Sequence, residues 1–532
     1  MGLSIQVNAH LNEIDPERWE AVWLTGLQLL EQFPGSLAAR RVVDLKAGRR
    51  TLYSTDYIFD VGKPEEHWEV VGDLASRRTA ESYQLHRHLT FYGRSSPRKK
   101  SRGRDLLWLS SPESDSHMAG TSLFGNKSQG YPYHYCMLAI GMLLECSFPK
   151  QAVVHGDINR AQAEKTLAWA EAVLQRPLAL PIVTDAPRLW PRLLSAYAGD
   201  HKSAGLRFLE LFSDVEDSRW QALLRLESGP DAAVLREIFR DELGHFQQLN
   251  QRGALEMIKA LYQATEDLEL VIDWICGDGN TGRAFAPTEL LKELCDCLLT
   301  IPCEKRASLG EFLQSASNPM RNIEGVFGQV FGILAGLPIV IDAYCDRESL
   351  LAPFASHWAV RTEEFRALIH ERTEHREAWL DKFNAQLDEL KTRVTDLPAA
   401  ASAWDPTEAT ALLSIPEAEF ILEQIAEQRF EAGQREQVAR GWGANIREVL
   451  QAPASEWIEK MSADELSSLM TKVANRTGLT LTEAAWQAID QASRAELKSL
   501  CVLATIDDRE IKFWNWRIHL LESPDLWHFL IE

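Results

Sequence analysis

The residues best placed to do chemistry lie between Gly125 and Asp157. A polar and aromatic loop there, holding Asn126, Lys127, Gln129, Tyr131, Tyr133 and His134, runs into the apolar stretch YCMLAIGMLLECSF and then into VVHGDIN, with His155 and Asp157. A helix that starts at such a loop offers free backbone N–H groups and positive potential to an anion or a partner carboxylate. If the chain folds back after the helix, His134, His155 and Asp157 approach one another, and such a set serves as a general base or a weak metal site. That would be a hydrolase-like or transferase site at the junction of an N-terminal domain with the helices, with Lys127 and Tyr131 as substrate contacts. The plainer reading has His134 and Tyr133 pin a domain junction by hydrogen bonds while Asp157 holds the turn before the next helix. It is preferred because nothing fixes a nucleophile and no Gly-rich phosphate loop is present. No residue is assigned as catalytic, and no cofactor or metal is implied.

Other spacings carry less. Glu242 and His245 have the Glu-x-x-His spacing of carboxylate-bridged di-iron bundles, but the second motif such a site needs is missing, since Glu371 and His375 stand four apart. Cys295 and Cys297 diverge on a helix, and with Cys303 they read as structural thiols. The turn around Asp278 has neither P-loop nor dinucleotide order. The C-terminal twenty residues hold Trp514 and Trp516 among other aromatics, which must dock in the chain's own core or on a partner.

The elements that position these residues fall into two textures. Residues 3–10, 51–60, 67–72 and 105–110 are short, rich in β-branched and aromatic types, and read as strands. Residues 15–33 and 77–92 read as helices, the first capped by Asp15 with Pro16 behind it. The resulting β-α-β-β-α-β order predicts a split βαβ, ferredoxin-like α+β domain over 1–92. Residues 93–104 form a basic linker or loop, and the tract 94–104 is the one place where nucleic acid could be touched. Beyond about residue 132 the periodicity is helical almost throughout, with a capping signal at Asn159 and a long charged strut over 362–393. The expected fold is mainly α: a small α+β start, a central helical domain over 105–350 and a C-terminal helical region over 351–532. Residues 325–341 are apolar with glycines four apart, and their length favours a buried helix over a membrane span. The segments Leu180–Ala186 and Leu337–Ala343 nearly repeat and suggest a duplicated helical unit.

Composition bounds the function. The 532 residues are 45% apolar, enough for a large core, and 77 acidic against 56 basic residues give a net charge of −21. Residues 1–150 carry 18 basic and 17 acidic side chains, so the remaining 38 basic and 60 acidic residues concentrate the negative charge in 151–532. That balance argues against a protein built mainly to neutralise nucleic-acid phosphates, although a local basic patch could still do so. The N-terminus lacks a basic and apolar leader, and Gln6 stands where myristoylation wants Ser or Thr. With eight scattered cysteines, a cytoplasmic protein is expected. An acidic helical surface complements a basic protein partner. The expected function is therefore binding without chemistry, as an inhibitor, immunity or adaptor protein.

Overall fold

The computed structural model describes residues 3–45, 48–76, 78–94, 105–108, 120–214, 218–226, 229–277, 285–310, 337–395, 416–427, 432–452, 456–505 and 511–531. Strand β1 (Ser4–Ala9) alternates so that Ile5, Val7 and Ala9 are fully buried. Helix α1 (Pro16–Glu31) begins as its sequence dictates, with the Asp15 carboxylate accepting the Arg18 N–H and Pro16 in the first turn. Its apolar face buries Trp19, Val22, Trp23, Leu29 and Leu30 at three- and four-residue spacing. The two indoles donate to the carbonyls of His86 and Leu85, 3.3 and 3.0 Å away, fixing the helix on the neighbouring sheet.

Five further strands follow: β2 (Leu37–Leu45), β3 (Gly48–Ser54), β4 (Ile58–Phe59), β5 (His67–Asp73) and β6 (Arg78–His86). The helix expected over 77–92 is thus a strand plus a 3-10 turn (Leu89–Arg94). Tyr83 and Leu85 bury at a period of two and stand opposite Val70 and Trp68 of β5, so ladder pairing and core packing override a weak helical pattern. The observed order is consequently not β-α-β-β-α-β. The strand expected at 105–110 is also absent from Asp105–Trp108, which is a turn closed by the Asp105 carboxylate on the Leu107 N–H, 3.0 Å. Two strands that the sequence left unmarked, β7 (Thr121–Lys127) and β8 (Ala152–Gly156), flank β1 on either side, both antiparallel. The N-terminal sheet therefore draws on residues well past 92.

Helix α2 (Tyr133–Ser147) packs on β1, β8 and α1 and is buried on nearly every face, the pattern of a central core helix. Gly141 lets it approach the sheet. A Cβ there would sit 2.6 Å from Cγ2 of Val154 and 3.2 Å from Cγ2 of Val7. Gly141→Ala is expected to cost about 1–3 kcal/mol by overpacking, read as a lower denaturation midpoint. An unchanged midpoint would show that helix and sheet are not in such close contact.

From here the chain is mainly helical. Helix α3 (Arg160–Leu174) starts at Asn159, whose side chain accepts the Gln162 N–H. It is followed by α4 (Ala186–Ala196), α5 (His201–Leu211), α6 (Arg219–Leu224), α7 (Ala232–Leu243), α8 (Arg252–Thr265), α9 (Leu268–Ile275), α10 (Pro287–Asp296), α11 (Arg347–His357) and α12 (Thr362–Thr395). These share one continuous core with the sheets, reaching Ile421 and Ile425 of α13 (Glu419–Glu427). The two near-repeated segments behave differently. Asp185 caps α4, whereas Asp342 lies 3.9 Å from the Lys259 ammonium and the cap of α11 is Asp346. Most of 325–341, the turn at Asp278 and most of the basic tract 94–104 lie outside the described residues.

The C-terminal helices α14 (Ala432–Gln451), α15 (Ala463–Thr477), α16 (Glu483–Gln491), α17 (Arg494–Thr505) and α18 (Ile511–Leu521) enclose a second core that also takes in Leu52 of β3. A short strand, β9 (Leu481–Thr482), pairs in parallel with Leu52 and Tyr53. At this seam Arg50 is inserted among the helices. Its guanidinium spans both oxygens of Asp490 at 2.7 and 2.8 Å, donates to Thr471 at 2.9 Å and lies 4.2 Å over the Trp486 ring.

Candidate functional site

The loop before α2 packs against the start of β1. The N–H groups of Ser128 and Gln129 both donate to the Leu3 carbonyl, at 2.8 and 3.2 Å, with Gln129 in left-handed backbone. Asn126 donates to the Ser82 carbonyl and its own carbonyl accepts the Tyr83 hydroxyl, tying β7 to β6. The Lys127 N–H reaches the Glu81 carboxylate, 3.1 Å, and its side chain is exposed. Tyr131 is half-buried beneath Arg78, whose guanidinium lies 5.8 Å from the ring. Tyr133 is fully buried edge-on to Tyr83, and burial pushes its hydroxyl well above the ordinary tyrosine range.

His134 is also buried. Its Nδ1 lies 2.6 Å from Oγ of Ser128, while Nε2 has no hydrogen-bond partner. Burial lowers its pKa to about 4, so the ring is neutral at physiological pH. Asp157 and His155 lie on the opposite side of β1. The Asp157 carboxylate accepts the N–H and hydroxyl of Ser4, at 2.9 and 2.8 Å, and His155 Nε2 stands 3.0 Å from Oδ1 of Asn8. The three groups are hydrogen-bonded to three different residues, and the Asp157 charge still acts on the His134 ring, opposing the effect of burial. Ser128, beside His134, is itself fully buried. The Asp157 carboxylate is thus bonded to the start of β1, while the cap of the following helix is Asn159.

The remaining expected sites resolve one by one. Cys295 and Cys297 are buried, and burial pushes both thiols up to about 12, so neither is a thiolate at neutral pH. His245 and Glu242 form a long, exposed contact of 4.0 Å at the end of α7. Among the described residues no cluster of three His, Cys, Asp or Glu side chains can hold a metal, and no helix is long and apolar enough to cross a membrane. Trp516 is buried and stands edge-on to His519. The side chain of Trp514 lies outside the described residues.

One feature escaped the sequence, and another was read there only as a charged strut. A groove of about 1080 Å³ runs beside α4, lined by Trp108, Pro149, Lys150, Pro191 and Tyr197. Its guanidiniums have acidic neighbours: Arg192 grips Asp105 at 2.8 and 2.9 Å, and Arg188 reaches the Leu180 carbonyl and Asp185. The other feature is the strut α12. On its inner side Arg372 and Arg376 both grip the largely buried Asp296, and Thr373 donates to Thr300 at 3.0 Å. Burial alone would raise Asp296, but the hydrogen bonds from Arg372 and Arg376 outweigh it and hold the carboxyl below its ordinary value. Below them Leu380, Phe383 and Leu387 pack on Leu298, Ile301 and Leu309. The outer side is different. Glu364, Glu371, Glu374, Asp381 and Asp388 are exposed at three- and seven-residue spacing, interrupted by exposed Ala367, Ala378 and Ala385. At 1.5 Å per residue that ridge is about 36 Å long.

A helical signal was available for this face. Ile369, Thr373, Leu380, Phe383 and Leu387 recur every three, four or seven residues, so Arg372 and Arg376 fall beside the buried stripe and the carboxylates opposite it. What lies under the arginines, Asp296, is set by tertiary packing alone. No family model matches this chain, nor does any curated protein or solved structure.

Proposed function

We propose that this chain is a protein-binding protein, of the inhibitor, immunity or adaptor kind, that sequesters a basic partner through the outer face of α12. The carrying observation is the division of charge on that helix. Arg372 and Arg376 are turned inward onto Asp296, and five carboxylates from Glu364 to Asp388 are turned outward. A long, low, mainly acidic ridge, with alanines between its charges, Arg361 and His370 paired to Glu364 and Glu374, and exposed Lys382 beside Asp381, fits a partner whose cationic side chains reach down onto its carboxylates. The ridge belongs to the 351–532 region and is anchored on the 105–350 region through Asp296 and the Leu298 cluster. A cytoplasmic setting belongs to the same reading.

The test is affinity capture from the native host with the full chain and with a triple variant, Glu371→Lys, Glu374→Lys and Asp381→Lys. All three positions are exposed, so the fold should survive, as thermal unfolding will verify. A basic protein held in stoichiometric amount by the wild type and lost from the variant is the expected result. Equal capture by both overturns the assignment to this face.

A further inference from the structure

A cavity of about 280 Å³ lies on the inner side of α12, away from the acidic ridge, lined by Leu255 of α8, Lys292, Glu293 and Asp296 of α10, Ile339, and Arg376 of α12. It exceeds several times over the ~30 Å³ that one water occupies in the liquid, and stands at the small end of ligand pockets. Three residues apart on α10, Glu293 and Asp296 share the face that packs on α12. Their surroundings differ. Asp296 is gripped by Arg372 and Arg376, whereas the Glu293 carboxylate accepts no hydrogen bond from the described residues, and its ion partner, the Lys292 ammonium, stands 3.8 Å away. The Glu293 side chain is nonetheless only 5% exposed. Buried polar groups are nearly always hydrogen-bonded, because an uncompensated charge out of water is costly. Burial and the charge of Asp296 accordingly push the Glu293 carboxyl up.

The charges around the cavity narrow what it can hold. Lys292, Arg372 and Arg376 stand against the two carboxylates of Glu293 and Asp296, so positive charge is in excess. A bare ammonium ion suits Glu293 but is opposed by that excess. A bare carboxylate suits the cations but leaves Glu293 unmet and repels it. A compound carrying both charges answers both. Its ammonium donates to Glu293, and its carboxylate accepts from Lys292 and from the terminal nitrogens of Arg376, which make no hydrogen bond to the described residues while Nε holds Asp296 at 3.1 Å. Leu255 and Ile339 supply an apolar wall for a short side chain. We propose that this cavity binds a small zwitterion of the α-amino-acid class, with Glu293 accepting from its ammonium and Arg376 and Lys292 donating to its carboxylate.

Isothermal titration of the full chain with glycine, L-alanine, L-valine and L-leucine, each up to about 10 mM, tests this. At least one should bind saturably. Its N-acetyl and amide derivatives, each lacking one of the two charges, should bind at least about tenfold more weakly. Glu293→Gln keeps the shape and removes the charge. That variant should lose at least about tenfold in affinity while its thermal midpoint holds or rises, since an uncompensated buried charge has gone. A purely structural Glu293 predicts the reverse, a lower midpoint with binding unchanged. No binding of any of these amino acids overturns the proposal, as does equal binding of either derivative or undiminished binding by Glu293→Gln. Should the variant fail to fold, the derivatives on the wild type decide the matter alone.

Discussion

Replacing Arg50 by alanine is expected to loosen the C-terminal helices from the β2–β3 hairpin at a cost of about 2–4 kcal/mol. The side chain is 7% exposed, and its loss removes the bidentate bond to Asp490, the bond to Thr471 and the stacking on Trp486 together. Leu52 and the short β3–β9 pairing remain, so the seam weakens without vanishing. Denaturant unfolding followed by tryptophan fluorescence should show the C-terminal core melting at a lower concentration than in the wild type. Arg50→Lys should recover under half of the loss, since an ammonium cannot span two carboxylate oxygens and a hydroxyl in one plane. The hydrogen bonds from Arg50 hold Asp490 below the ordinary aspartate range. The linked stability is present above the ordinary value and is lost as pH falls through the lowered one. Asp490 is 46% exposed, so this part is small, and in the alanine variant it should disappear. An unchanged midpoint in Arg50→Ala would mean that the apolar seam alone holds the two cores.

The second large effect is expected at Glu145, on the buried side of α2. Its carboxylate accepts the Val154 N–H at 2.9 Å and the Ile182 N–H at 2.7 Å, linking β8 to the turn before α4. Glu145→Ala strands two buried donors and opens a cavity, for about 3–5 kcal/mol. Burial pushes the carboxyl up to about 7, against the pull of the two N–H groups and of Arg192 and Arg188. The sign follows from the raised value. The folded state binds a proton that the unfolded chain has released, so this stability is complete below the ordinary glutamate range and is lost as pH rises through about 7. Roughly 3 kcal/mol separates the two ends of that window. Wild-type unfolding measured from pH 5 to 8 should show the decline, and the alanine variant should lack it. A flat wild-type profile would show Glu145 ionised throughout.

Local rules made parts of this molecule legible. Asp15 with Pro16 marked α1, Asn159 marked α3, and the alternation of Ile5, Val7 and Ala9 marked β1, because caps and periodicity act within a few residues. The strands β2, β6 and β7 were illegible for a common reason. Arg40 and Arg41 interrupt the pattern of the first, the second carries the helix formers Ala80, Glu81 and Gln84 around its buried Tyr83 and Leu85, and the third ends in Gly125-Asn126-Lys127. Each is fixed by pairing with another strand, β3 for the first, β5 for the second and, most distant in sequence, β1 for the third, where Ile5 lies opposite Asn126. The same limit applies to the site. His134, His155 and Asp157 were recognisable as unusual, but their separation by β1 depends on β7 and β8 pairing to its two edges. The ridge on α12 was visible as a charged strut. That its arginines turn inward depends on Asp296, a partner supplied by another helix.

The most direct test of ridge-mediated binding is the salt dependence of affinity for the captured partner. Attraction between an exposed acidic ridge and a basic surface is screened over a Debye length of about 8–10 Å. Isothermal titration between about 50 and 300 mM NaCl should show the wild-type affinity falling by at least about tenfold, while the residual affinity of the Glu371→Lys/Glu374→Lys/Asp381→Lys variant stays flat or strengthens. An affinity indifferent to salt, and equal in wild type and variant, would place the binding surface elsewhere on the molecule.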